Sequence, residues 1–532
     1  MLVACWAPAL ADQKSAQTDA PPTGIKPTGA TLQSVLDRHA AAVGVPARAW
    51  RSYVKNVAVS AYGETGLSTE LRSGSDYKVT QTIGPVTTSF GRSGKIYWRQ
   101  TPNGYTIRLS DAHAGDELID RSPDEQLVLP SNHAKLLGEV AAPLPAYVVS
   151  LTPDNGRTRW VFIDKQSGLI DRMEYIEAGD RISATFDDFR ATNGVTEPWH
   201  GHTSMPQKAN DVDWKISSIV PNVPVQDGEL MVPPDRRTVL EFPAGVTSVD
   251  VPVRIVDGAI IVRVRIQGRG VDLQVDSGAG GIFLNRGLVN QLKLPTFGFQ
   301  TETKPGQYAP SETIVPEIQI GNLRMRNVYA MSLSWYAEPD ETTEVEGLIG
   351  FDLLAGGFTK LDYLNQLLSI SDWRQVTFPA GRSFIVPIAL DDEVPTAGAK
   401  VGEAVGDRFI LDTGDLANII IFRHFADAHP ADVADAGEGR VLHNLIPYIA
   451  TLGVGGRVDV LPTQVRSFHF GGVGFDDFTL FVAQKSDAFN AADYDGLIGW
   501  RFLEFFDVYF DYHNSRVILA PNKFLLRVTK HL

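Results

Sequence analysis

The 532-residue chain contains a single cysteine, Cys5, so no internal disulfide can brace it and its stability must come from packing. It is also short of positive charge: 48 Lys and Arg face 63 Asp and Glu, a formal net charge of −15. That balance argues against phosphate backbones and anionic lipid, and no nucleic-acid partner is expected. Long apolar runs are missing as well. After the N-terminal stretch nothing approaches the roughly 18 residues a spanning helix needs, so no membrane-spanning segment is expected. Two common hydrolase signatures are absent: His-Glu-x-x-His for zinc and a Gly-x-Ser-x-Gly elbow for a serine nucleophile. His200-Gly201-His202 sets two imidazoles on one face of a strand, but the sequence offers no third ligand nearby. His424 and His429 have the wrong spacing for one helical face, and Gly471-Gly472-Val473-Gly474 lacks the helix and acidic partner of a nucleotide loop. Neither a metal nor a cofactor is expected.

What is present is a globular composition, 43% hydrophobic and 21% charged, long enough for roughly three or four units at about 150 residues each. Leu2 to Ala11 is apolar and ends in Ala9-Leu10-Ala11 before Asp12-Gln13, which reads as the end of a secretory signal cleaved after Ala11. No Lys or Arg precedes this run, which leaves room for a start codon upstream of Met1. Leu2-Val3-Ala4-Cys5 also resembles a bacterial lipobox. The expectation is export to the periplasm or beyond, with a lipid-anchored chain as the alternative. Residues 12–28, rich in Ser, Thr, Pro and Gly, form an expected flexible leader. Thr31 can cap a helix with apolar positions Leu32, Val35, Leu36, Ala40 and Val43, ended by Gly44. Short alternating runs follow. Lys95–Thr101 with Tyr105–Leu109, and Arg159–Asp164 with Leu169–Ile176, flank turn residues and predict two hairpins in a mostly antiparallel sheet.

From Ser248 the sequence repeats itself once. The first copy has an apolar strand Val271–Val275 ending in Asp276-Ser277-Gly278-Ala279, then Ile318-Gln319-Ile320-Gly321, Gly347-Leu348-Ile349-Gly350 and Leu361-Asp362-Tyr363. The second has Phe409-Ile410-Leu411 ending in Asp412-Thr413-Gly414-Asp415, then Phe468-His469-Phe470-Gly471, Gly496-Leu497-Ile498-Gly499 and Phe510-Asp511-Tyr512. The offsets are 136 (412 − 276), 150 (471 − 321), 149 (499 − 350) and 149 (511 − 362). A period this long is not a solenoid unit; it predicts two duplicated lobes of one domain. The expected division is 1–11 signal remnant, 12–28 leader, 29–240 antiparallel β domain, 248–372 first lobe and 382–525 second lobe.

Two Asp-Ser/Thr-Gly triplets at matched positions make the half from Ser248 to Pro521 resemble the pepsin and retropepsin aspartic proteases, with both lobes on one chain. The earlier part resembles the half-barrel of periplasmic lipoprotein carriers, on Trp160–Asp164, Leu169–Arg172, Phe186-Asp187-Asp188 and Asn193-Gly194-Val195. The implied fold is mostly β: a bilobal pepsin-like acid protease domain of two duplicated β lobes, preceded by an α+β half-barrel-like antiparallel sheet domain. The first domain is then open to an apolar ligand, and the second to a peptide or protein substrate.

Two carboxylates held within hydrogen-bonding distance cannot both ionise cheaply, so they share a proton and can activate a water between them without a covalent intermediate. The resemblance gives Asp276 and Asp412 these catalytic roles in an aspartic endopeptidase. It makes Ser277, Gly278, Ala279, Thr413, Gly414 and Asp415 the support of that dyad, with Ile349 and Ile498 behind it. Asp415 departs from the Ser, Thr or Ala usual at its position. Turned inward, its charge raises a dyad pKa; turned outward, it is a solvated loop residue. A covering hairpin is implied at Lys304-Pro305-Gly306-Gln307-Tyr308, with Tyr308 as its hydroxyl, against the reading of an ordinary exposed turn. The rival function is a non-catalytic peptide- or envelope-binding protein on a degenerate scaffold of this kind.

Overall fold

The computed structural model describes residues 20–44, 50–110, 119–120, 123–153, 157–177, 180–192, 194–236, 240–256, 258–299, 310–333, 345–391, 393–415, 418–433, 449–453, 456–483 and 494–528. The expected signal, Cys5 and the Lys304–Tyr308 hairpin with Tyr308 lie outside them.

The helix runs Leu32–Val43. Thr31 and Ser34 exchange side-chain and backbone hydrogen bonds at its start, and the Gly44 amide closes its end on the Ala40 carbonyl. Its Val35 packs among Val57, Val59, Val149 and Val161 of a 13-stranded sheet. That sheet is two antiparallel meanders, Ser52 to Arg108 and Lys135 to Pro221, joined by the pairing of Ser52–Ala61 with Val212–Pro221. Both expected hairpins lie within it, as 96–100 with 106–108 and 159–164 with 170–177. Alternation buries one residue in two along Asp76–Gln81 and Val212–Ile216.

Residues 20–28 differ from the expected flexible leader. Lys26 and Glu139 bridge through both backbone hydrogen bonds, Ile25 packs against Val140 and Trp160, and Arg181 donates to the Ala20 carbonyl. One half-buried isoleucine and a β-bridge outweigh the composition. At the other end, Leu240 packs on the core of the lobes and Glu241 bridges Arg324.

From Ser248 the two lobes share one strand plan. In the first, Arg269–Val275 runs parallel to Gly347–Ile349, while Ile282–Asn285 lies antiparallel to Gly347–Ile349 and parallel to Leu323–Leu333. In the second, Ala404–Leu411 runs parallel to Gly496–Ile498, while Ile419–Ile421 lies antiparallel to it and parallel to Val473–Ala483. Gly321 and Gly471 sit at matching turns with φ of 59° and 58°, a conformation that favours glycine. The lobes meet in a common sheet where Phe358–Asp362 pairs antiparallel with Phe506–Asp511. Lys360 stands opposite Tyr509, 149 residues on (509 − 360), which is the repeat offset itself, so an approximate two-fold axis passes through this pair. One continuous apolar core runs through both lobes and takes in Tyr105 and Ile107 of the N-terminal sheet. Among the described residues no helix is long and apolar enough to cross a membrane.

Candidate active site

Each Asp-Ser/Thr-Gly triplet is the turn that leaves a buried strand. The Asp276 amide donates to the Ile349 carbonyl (3.1 Å) and the Asp412 amide to that of Ile498 (2.9 Å), so the apolar strand behind each loop fixes where the aspartate begins. Ile349 and Ile498 are fully buried. The loops then fold back onto Gly350-Phe351 and Gly499-Trp500: the Phe351 amide donates to Ala279 and that of Trp500 to Asp415, each at 3.0 Å.

The two loops are tied across the lobes by their hydroxyls. The Ser277 amide donates to the Thr413 hydroxyl and the Thr413 amide to the Ser277 hydroxyl, both at 2.9 Å. The Ser277 hydroxyl donates to the Leu411 carbonyl at 2.7 Å, and the Thr413 hydroxyl to that of Val275 at 3.1 Å. Ser277 and Thr413 have no solvent exposure, so these four bonds run where a lost partner finds no water. Gln274 adds a further cross-lobe bond, from its amide nitrogen to the Gly414 carbonyl at 3.3 Å.

The glycines bring the carboxyls together. Gly278 and Gly414 each donate an amide hydrogen bond of 2.8 Å to the aspartate of their own loop. A Cβ on Gly278 would lie 2.6 Å from the Asp412 carboxyl carbon, and one on Gly414 would lie 2.4 Å from that of Asp276. Each glycine is therefore the floor beneath the opposite carboxyl, which only a residue without a side chain permits. Asp276 and Asp412 keep some contact with solvent but are crowded by protein. Burial raises both above the ordinary carboxylate value, Asp412 well above it, and the negative charge of Asp276 raises Asp412 further. The pair therefore retains a proton at pH values where isolated aspartates have lost theirs.

Asp415 is turned inward. It is 6% exposed, its amide donates to Asp412 at 3.1 Å, and its charge adds to the upward shift of Asp276. Ala279 is buried too, in an apolar cluster with Phe283, Tyr329, Met331 and Leu333.

Residues 262–353 match a family model described as aspartyl protease. The matched stretch holds the Asp276 loop and ends before Asp412. No curated protein matches the chain. Among solved structures, it is similar to an aspartic proteinase from Irpex lacteus, with 15% identity, 52% of this chain and 98% of that one covered, and a TM-score of 0.32. It is also similar to a LolA superfamily protein from Nitrosomonas europaea, with 16% identity, 38% and 98% coverage and a TM-score of 0.29.

Two groups at this site were not singled out by the reading of the sequence. Tyr363 and Tyr512 close the last repeated landmark, are buried, and titrate far above an ordinary phenol. Burial is the main cause in both; Asp412 adds to the shift of Tyr363 and Asp276 to that of Tyr512. Their place in the repeat is the signal that could have found them. The imidazoles of His200 and His202 both face Asp213, with Asp187 and Asp211 on either side. Among the described residues no group of His, Cys, Asp and Glu has the arrangement of a metal site. In the second lobe, Ile449–Gly453 pairs antiparallel with Gly456–Val460, with Gly453 opposite Gly456.

Proposed function

We propose that this chain is an aspartic endopeptidase that hydrolyses peptide bonds with a water held between Asp276 and Asp412. The observation that carries the reading is the reciprocal bracing of two duplicated loops, hydroxyl to amide in both directions, with each carboxyl over the other loop's glycine. Rigid, preorganised carboxyls sharing one proton are what general acid–base attack by water requires. The ionised member takes a proton from the water as its oxygen bonds the carbonyl carbon, and the protonated member hydrogen-bonds the scissile carbonyl oxygen and then gives its proton to the leaving amine nitrogen as the C–N bond of the tetrahedral intermediate breaks. No covalent intermediate forms. Which aspartate begins as the acid is a property of the coupled pair. Ser277 and Thr413 hold the loops, and Asp415 biases the pair toward protonation. We further propose that the chain is exported, from the Leu2–Ala11 pattern.

The test is cleavage of a mixed peptide library by the full chain from pH 3 to pH 8, beside Asp276→Asn and Asp412→Asn. Loss of cleavage in both variants, with folding retained, supports a dyad. If the wild type cuts nothing at any pH, the reading fails and a peptide-binding protein with a non-catalytic cleft takes its place.

A further inference from the structure

The N-terminal sheet is joined to the first lobe through side chains the proposed chemistry does not use. Asn103, at the tip of the 96–108 hairpin, behaves as a strand partner: its amide nitrogen donates to the Tyr329 carbonyl at 3.0 Å and its amide oxygen accepts from the Tyr329 amide at 2.8 Å. The Tyr105 hydroxyl donates to the Asp352 backbone carbonyl at 2.9 Å, and its ring meets Phe351 edge-on. Val86, beside the neighbouring turn, packs into the cluster that holds Ala279 and Phe283. Glu64 accepts from the Gly298 amide at 3.2 Å, and a Cβ on Gly298 would lie 3.3 Å from a Glu312 carboxyl oxygen, so two carboxyls from different domains flank one glycine. Gly298 and Glu312 lie on the paired strands 296–299 and 311–320, whose Ile314 packs in the same cluster as Ala279.

We propose that Glu312 and Asp352 are positioning residues that fasten the N-terminal sheet to the first lobe while they hold protons, with Glu64 as the partner carboxyl of Glu312. As the solution is made alkaline they ionise, and the strands beside the Asp276 loop lose their outer support.

The surroundings of both groups fit this role. Glu312 faces the Tyr329 hydroxyl at 3.1 Å and the Glu64 carboxylate; burial pushes it up to about 7, the tyrosine bond opposes this and Glu64 adds to it. Asp352 is 3% exposed and is pushed up to about 7 by burial, which the Asn103 amide facing it opposes. Tyr329 between them also feels Glu393, which Arg99 of the N-terminal sheet approaches at 3.6 Å, and Asp391 accepts the Ser110 amide. Arg236 lies against Gly104 and is engaged with the carbonyls of Thr87, Thr101 and Pro102. Beyond Tyr105, Asp235 faces His513.

The sign follows from linkage. A carboxyl raised in the docked form favours docking fully below its ordinary value, and that advantage is lost as the pH rises through the docked value. Were Glu312 an ordinary carboxyl once undocked, the interval from 4.5 to about 7 would set an upper bound of roughly 300-fold on the docking equilibrium.

Hydrogen exchange on the full chain tests this at pH 5.5 and 8.5, with intrinsic exchange rates corrected. In the wild type, protection of amides in 311–333 and 101–105 is expected to fall by at least about 30-fold at the higher pH, allowing for partial expression of the linkage. The Glu312→Gln/Asp352→Asn double variant, neutral throughout, should change by less than about threefold on the same scale. Protection that does not vary with pH in the wild type, or that falls as steeply in the double variant, overturns the proposal. If the double variant does not fold, Glu64→Gln at its half-buried position must shrink the fall, and an unchanged fall overturns the proposal equally. The consequence for the cleft rests on the endopeptidase reading. Exchange is read without substrate, so a chain that cleaves nothing still tests the docking.

Discussion

Gly414→Ala is the sharpest perturbation of the proposed dyad, because the backbone tolerates it and the opposite carboxyl does not. Gly414 has no positive φ, so alanine imposes no backbone strain there. The new Cβ would stand 2.4 to 2.5 Å from all three atoms of the Asp276 carboxyl group, whereas ordinary contact begins at 3.4 Å. Asp276 must move by about 1 Å, and a displacement of about 1 Å at a reacting group can lower the rate on the order of a hundredfold. The expected result is kcat reduced about 100-fold on a quenched peptide chosen from the library, with KM changed less than about threefold, because the substitution adds one methyl group beneath the carboxyls and removes no other side chain. Gly381→Ala, where a Cβ meets nothing within 4 Å, is the matched control and should behave as wild type. Near-normal kcat in Gly414→Ala would refute the argument, since the two carboxyls could then not be working against each other across that glycine.

Other outcomes follow from the same geometry. Ser277→Ala leaves the Leu411 carbonyl and the Thr413 amide without their partners in a fully buried position, which should cost about 2 to 5 kcal/mol and lower the denaturant midpoint. Asp415→Asn removes a charge that raises Asp276, so the pH–rate profile should move toward acid; an unmoved profile means that charge does not reach the dyad. Asp412 is raised in the folded chain, so its contribution to stability is complete below its ordinary value of 3.8 and is lost as the pH climbs through the raised value. Thermal unfolding at pH 4, 6 and 8 should therefore show a steeper loss toward neutrality for the wild type than for Asp412→Asn.

The plan of the lobes was legible because duplication writes itself into spacing. An offset of 149 residues, shared by the last two landmarks, located the strands behind both aspartates and, once pairing is known, the residues on the two-fold axis. The helix and the hairpins were legible from capping and alternation, which are local signals. The docking of the N-terminal sheet was not. Asn103 and Tyr329 lie 226 residues apart, and neither sits in a pattern that announces a partner. The direction of Asp415 was equally open, since one residue in a loop carries no periodicity; its backbone bonds to Asp412 and Trp500 decide it. Residues 20–28 show the reverse error, where composition suggested freedom and a single isoleucine supplied an anchor.

The strand order has a consequence for how the chain assembles during synthesis. In the N-terminal sheet every pairing but one joins strands that follow each other in sequence, so most of it can form as it emerges. The lobes depend on distant pairings, Ser248–Pro252 with Leu367–Ser371 and Thr359–Leu361 with Val508–Phe510. A finished platform is thus waiting when the first lobe appears, and it can shield the apolar face around Phe283 and Met331 while the second lobe is still being made. Asp276 then spends that interval without Asp412, and the two loops can brace each other only once Asp412 and the Gly496–Ile498 strand behind it have been made.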